Sequence, residues 1–178
     1  SNAIGLELAR ALIPKTSQWL VTLHMDTLVT EKHWLAFLKN QCNGSIRAAG
    51  VRMDHKRTAD GVLHVLGYLV DYQLFLSLNL DLFPQLPQYD VGDLVTVKLR
   101  EAGYEAFACR NSLWEPEIID LLPEDSPYRD LPVDRAIDDQ QQVIFLHLGR
   151  GVRKSDGSFV KGASPEDWIA FAYEHIIE

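Results

Sequence analysis

The stretch "DLVTVKLREAGYEAFACR", Asp93–Arg110, decides how the middle of this chain is built. Val95, Val97 and Leu99 alternate with Thr96, Lys98 and Arg100, and Glu101-Ala102-Gly103 follows. Period-two alternation ending in a glycine-bearing turn predicts a β-hairpin. Just upstream, "LFLSLNLDLF" (74–83) sets Leu74, Leu76, Leu78, Leu80 and Leu82 against Phe75, Ser77, Asn79, Asp81 and Phe83. The same rule predicts a half-buried strand there, although leucine itself favours helices, and Pro84 and Pro87 break it.

Working outward, "SIRAAGVRM" (45–53) and "VLHVLGYLVDY" (62–72) flank the polar loop "DHKRTADG" and read as a long-looped hairpin. "WLVTLHM" (19–25) reads as a strand, and the apolar run "QVIFLHL" (142–148) suits a central one. Helical spacing covers 4–13 and stops at Pro14. A second helix is expected from Thr30, with Trp34, Leu35 and Leu38 as its stripe and Asn43-Gly44 as its stop. A short helix carries Pro116 in its first turn over 113–122. The last helix begins at Ser164-Pro165-Glu166-Asp167, where serine caps and the acids favour the positive helix end. The expected fold is α+β: a mostly antiparallel sheet built from hairpins, with about four helices packed on it. One domain over 4–178 is expected, with 123–139 as an acidic, proline-containing surface loop. Ser1-Asn2-Ala3 reads as an expression scar.

The 178 residues carry a net charge of −8, which disfavours general binding to a nucleic-acid backbone. No uninterrupted apolar run is long enough to span a membrane, so no membrane partner is expected, and a cytoplasmic location is favoured. Cys42 and Cys109 match no zinc spacing and read as small core-filling thiols, which would pair only in an oxidising compartment. No cofactor and no metal is expected.

Three constellations stand out. "HLGRGVRKSDGSFVKGASPEDW" (147–168) runs from a strand through Gly149 and Gly151 to a helix N-terminus and carries Arg150, Arg153, Lys154 and Lys161. That order suits an anion, but no Walker or dinucleotide pattern is present, and Asp156-Gly157 favours a plain hairpin turn. Arg47, Arg52, Lys56 and Arg57 form a second basic cluster, which would extend an anion site if the two adjoin. The opposite pole is 115–139, with nine acids against Arg129 and Arg135. Here Glu124, Asp125, Asp138 and Asp139, with Tyr128 as an apolar anchor, are the candidates for docking a basic protein. "HMD" (24–26) and "DH" (54–55) are the acid–base or metal candidates. His33, His64, His147 and His175 lie in expected helices and strands and read as structural. The expectation is a non-catalytic interaction domain that binds a basic protein partner, of inhibitor, immunity or adaptor type. The alternative is a small enzyme or sensor for an anionic or phosphorylated small molecule.

Overall fold

A computed structural model describes residues 2–52, 61–149 and 154–177. They gather into two compact units, residues 1–24 with 35–109, and residues 25–34 with 110–178.

The first unit holds α1 (Asn2–Ala11), β1 (Trp19–Leu23), most of α2 (Trp34–Gln41), β3 (Ile46–Arg52), β4 (Leu63–Asp71), α3 (Tyr72–Ser77), α4 (Asp93–Glu101) and the start of β5 (Glu105–Asn111). Its strands run in the order β1-β4-β3-β5. β4 pairs antiparallel with β1 and with β3, so the expected long-looped hairpin forms. β3 and β5 run parallel, Ala49 facing Phe107.

The segment 93–110 is therefore not a hairpin. It is a helix, a cap and a strand. Val95, Thr96 and Leu99 are buried, while Lys98, Arg100 and Glu101 are exposed, which is one face of a 3.6-residue period. Val95 and Leu99, four apart, satisfy both the helical and the alternating pattern. Glu101-Ala102-Gly103 ends the helix instead of reversing a strand. Gly103 has φ +85°, its N–H bonds Arg100 O, and Tyr104 N–H bonds Leu99 O at 2.9 Å. This pair of bonds is the Schellman arrangement, and Leu99 and Tyr104 pack in the same core cluster.

The first half of 74–83 is also helical. Asp71 Oδ1 accepts from Leu74 N–H at 3.0 Å, and Tyr72 and Phe75, three apart, point into the core. The helix closes at Leu78, and Asn79 turns the chain with φ +52°. Leu78 is only half-buried, and just Leu80 and Leu82 keep the alternation.

The second unit holds β2 (Thr27–Val29), a 3-10 helix (Pro116–Leu121), β6 (Asp134–Ile137), β7 (Val143–His147) and α5 (Pro165–His175). β7 is central, antiparallel to β6 and to β2. The last residues of β5, Arg110 and Asn111, pair with Ile137 and Ala136 of β6. Thr30 does not cap a helix; it follows β2, its N–H bonds Ile144 O and its hydroxyl bonds Val143 O. β6 lies inside the segment expected to be a loop. α5 starts as the sequence predicts, Ser164 Oγ accepting from Asp167 N–H at 3.0 Å. Trp168 of α5 joins Ile118, Leu122, Val133, Ile137, Val143 and Leu146 in this unit's core.

The α+β class stands. The sheet is mixed and not built mostly from hairpins, with β3–β5 as a parallel pairing, and the described residues form five α-helices and one 3-10 helix where about four were expected. No helix among the described residues is long and apolar enough to cross a membrane.

Candidate functional site

Charge is divided unequally. The second unit carries sixteen acidic and eight basic residues, while the first carries nine of each. The whole net charge of −8 therefore belongs to the second unit.

Within it, the acidic segment is an ordered wrap. Arg135 is 3% exposed and donates to the carbonyls of Tyr128 (2.6 Å), Arg129 (2.9 Å), Val133 (2.5 Å) and Leu131. Burial lowers its pKa against the raising pull of Asp134 and Asp130. Arg129 holds the preceding turn by donating to Leu122 O. Of the expected docking residues, Glu124, Asp125 and Asp139 are exposed. Tyr128 is half-buried, edge-on to Phe171 of α5. Asp138 faces inward. It is 6% exposed, meets His33 Nε2 at 2.8 Å, and accepts from Gln140 and Gln142 N–H to hold the β6–β7 turn.

α5 has two apolar faces. Trp168 and Ala172 are buried, whereas Ile169, Tyr173 and Ile177, each four residues from the next, are 57%, 68% and 53% exposed. Ile169 and Tyr173, four apart, lie one above the other on the helix, and Ile177 follows two residues past its end at His175. Glu166 and Glu174 are exposed on the same helix.

At the end of β7, His147 stands between two carboxylates of the second unit. Asp134 opens β6 directly opposite His147, and Asp26 immediately precedes β2, its carbonyl accepting Leu148 N–H at 3.0 Å. His147 Nδ1 is 3.4 Å from Asp134 Oδ2, and Nε2 is 3.5 Å from Asp26 Oδ1. Burial disfavours the imidazolium, but the bonds and charges of Asp134 and Asp26 outweigh it and push the pKa up to about 9. Of this group the sequence flags only Asp26, within "HMD", while His147 reads as structural. Asp134 looks like one more surface acid, and the three residues meet only through strand pairing.

The first unit has its own carboxylate–imidazole pair. His64 Nδ1 is 2.8 Å from Asp93 Oδ1, whose other oxygen accepts Asp90 N–H. The His24 ring lies 6.4 Å from that of His64. The Tyr68 and Thr22 hydroxyls are buried without a hydrogen-bond partner among the described residues.

Of the basic candidates, Arg47 and Arg52 belong to the first unit and Lys154 and Lys161 to the second. Arg47 stacks on Tyr104 at 5.9 Å and Arg52 ends β3. Lys154 and Lys161 are exposed. Lys56, Arg57, Arg150 and Arg153, and the pair Asp54-His55, lie outside the described residues. The Asp156-Gly157 turn forms as the sequence predicts. Gly157 N–H bonds Lys154 O at 3.0 Å, Lys154 N–H bonds Ser158 O at 2.7 Å, and Gly157 has φ +86°.

Cys42 and Cys109 form no disulfide among the described residues, and Cys109 is fully buried. Burial pushes the Cys42 thiol up to about 11, with Arg47 opposing and Asp71 adding to the rise. Cys42 is therefore expected to alkylate roughly a hundredfold more slowly at pH 7.5 than an ordinary thiol and to speed up as pH rises toward 11. Iodoacetamide labelling followed by mass spectrometry checks this; rapid labelling at neutral pH would show that Cys42 is an activated thiolate. No protein-family model matches the chain, and neither a curated protein nor a solved structure is significantly similar to it.

Proposed function

We propose that this chain is a non-catalytic interaction module, of inhibitor, immunity or adaptor type, whose second unit docks a basic, amphipathic helical segment of a partner protein. One observation carries the reading: the unit that holds all the net negative charge also exposes Ile169 and Tyr173 one turn apart on α5, with Ile177 just past the helix end. Contiguous exposed apolar surface on a soluble domain marks an interaction site. The acids choose the sign of the partner and speed its approach, while the buried aliphatic and aromatic contacts hold it. An amphipathic helix fits because two helical anchors one turn apart match the spacing of its own apolar face. Glu166 and Glu174 are exposed on α5 beside these anchors in sequence, and Glu124, Asp125 and Asp139 are exposed in the same unit.

The test is titration with a fluorescent lysine–leucine amphipathic peptide and a glutamate–leucine control. The lysine peptide should bind, weaken with salt, and lose about tenfold or more in affinity on Ile169→Asp with Tyr173→Asp. Glu166→Lys with Glu174→Lys should lower the association rate. Equal affinity for both peptides, or binding unchanged by the Ile169 and Tyr173 substitutions, would remove the proposal. Self-association abolished by the same substitutions, seen by sedimentation, would assign these anchors to a second copy instead.

A further inference from the structure

We propose that Asp26 and His147 hold one divalent transition-metal ion of the zinc class, bound by Asp26 Oδ1 and His147 Nε2, with Asp134 fixing the imidazole through Nδ1–H. This site is independent of the α5 surface. The 3.5 Å between Asp26 Oδ1 and His147 Nε2 exceeds the 2.7–2.9 Å of a close charge-assisted contact. It matches the roughly 3.4 Å edge spanned by two ligand atoms about 2.1 Å from a tetrahedral ion. Asp134 stands on the far side of the ring, 3.4 Å from Nδ1. A carboxylate there keeps the proton on Nδ1, directs the Nε2 lone pair toward the ion and raises the ring's basicity as a ligand. On binding, the ion replaces the proton on Nε2, which leaves to solvent.

The backbone places these groups in advance. His147 pairs with Thr27 in β2 and with Asp134 in β6, and Leu148 N–H bonds Asp26 O. All three side chains therefore sit at cross-strand neighbours of one strand end. They are partly open, at 17% exposure for His147, 28% for Asp26 and 33% for Asp134, which leaves room for water in the remaining coordination positions. Gly149 follows, where a Cβ would lie 3.5 Å from Asp134 Oδ2 and from His147 Cε1, so the glycine leaves the space beside the ring open. An imidazole with a carboxylate favours Zn²⁺ over Mg²⁺, which prefers oxygen ligands.

The experiment is calorimetric titration of the metal-stripped full chain with Zn²⁺, with the His147 ring resonances followed by NMR. A single saturable site is expected, with the His147 signals shifting in step with the heat and unmoved by excess Mg²⁺. Asp26→Asn and His147→Gln should each weaken binding by at least about tenfold, and Asp134→Asn by about 10–100-fold. Circular dichroism checks that each variant is folded. Asp26→Asn keeps the side-chain shape and decides the matter if His147→Gln does not fold. Absence of saturable heat, His147 signals that do not move, or wild-type affinity in Asp26→Asn would overturn the site.

Discussion

Arg135→Met is expected to destabilise the second unit by about 3–5 kcal/mol, a large share of the 5–15 kcal/mol that typically holds a domain folded. Arg135 is nearly inaccessible, and its guanidinium donates to four main-chain carbonyls within the segment 128–133. Methionine fills much of the same volume but donates nothing. Each abandoned carbonyl then loses its partner where water reaches it poorly, and an unmet buried polar group costs about 1–3 kcal/mol. Arg135→Lys should recover only part of the loss, because an ammonium is a compact donor and lacks the planar fork that spans several acceptors. Guanidinium unfolding followed by tryptophan fluorescence measures both, since Trp168 packs in this unit's core. A midpoint for Arg135→Met within about 1 kcal/mol of the parent would show that the wrap does not depend on Arg135.

The same residue shows why the acidic segment was only half legible. In sequence, 123–139 is rich in charge and proline, and a charged residue is rarely fully buried. Yet Arg135 is buried within a four-residue strand, and Asp138 turns inward to hold the hairpin and meet His33. A strand this short has too few positions to show a period. The segments read correctly each carry more than one signal: β4 and β7 are long or continuous apolar runs, and α5 has a cap, a proline and acids in register.

The middle of the chain misleads for a different reason. Val95 and Leu99 are four apart, so they fit a strand face and a helix face alike. Gly103, two residues past Glu101, does not discriminate, because a glycine there ends a helix as readily as it turns a hairpin. A hairpin over this segment has no place for α4 or for the parallel β3–β5 pair. The charge division and the His147 group depend on which distant segments share a unit, and local pattern does not carry that. Asp26 and His147 are joined by strand pairing across more than a hundred positions.

The tight crossing of β3 and β4 makes the second large prediction. Gly50→Ala is expected to cost about 3 kcal/mol or more, beyond the usual range for added core volume. A Cβ at Gly50 would stand 2.4 Å from Gly67 O, 2.4 Å from Tyr68 Cβ and 2.6 Å from Tyr68 Cα. Two of those atoms are main chain, so no rotamer change relieves the clash. β4 must move, and the register between β3 and β4 already breaks between Gly50 and Arg52. β3 cannot retreat freely either, since Gly50 pairs with Ala108 of β5 on its other side. Tyr68, buried at 1% exposure, would be displaced with the strand. The internal control is Gly5→Ala in α1, where a Cβ meets nothing within 4 Å. There the gain in helix propensity should stabilise by roughly 0.5–1 kcal/mol. One substitution type should thus give opposite signs at two sites of the same unit. Urea midpoints of the two variants decide it, and a Gly50→Ala midpoint at or above the parent's would show that β3 and β4 do not approach as closely as described.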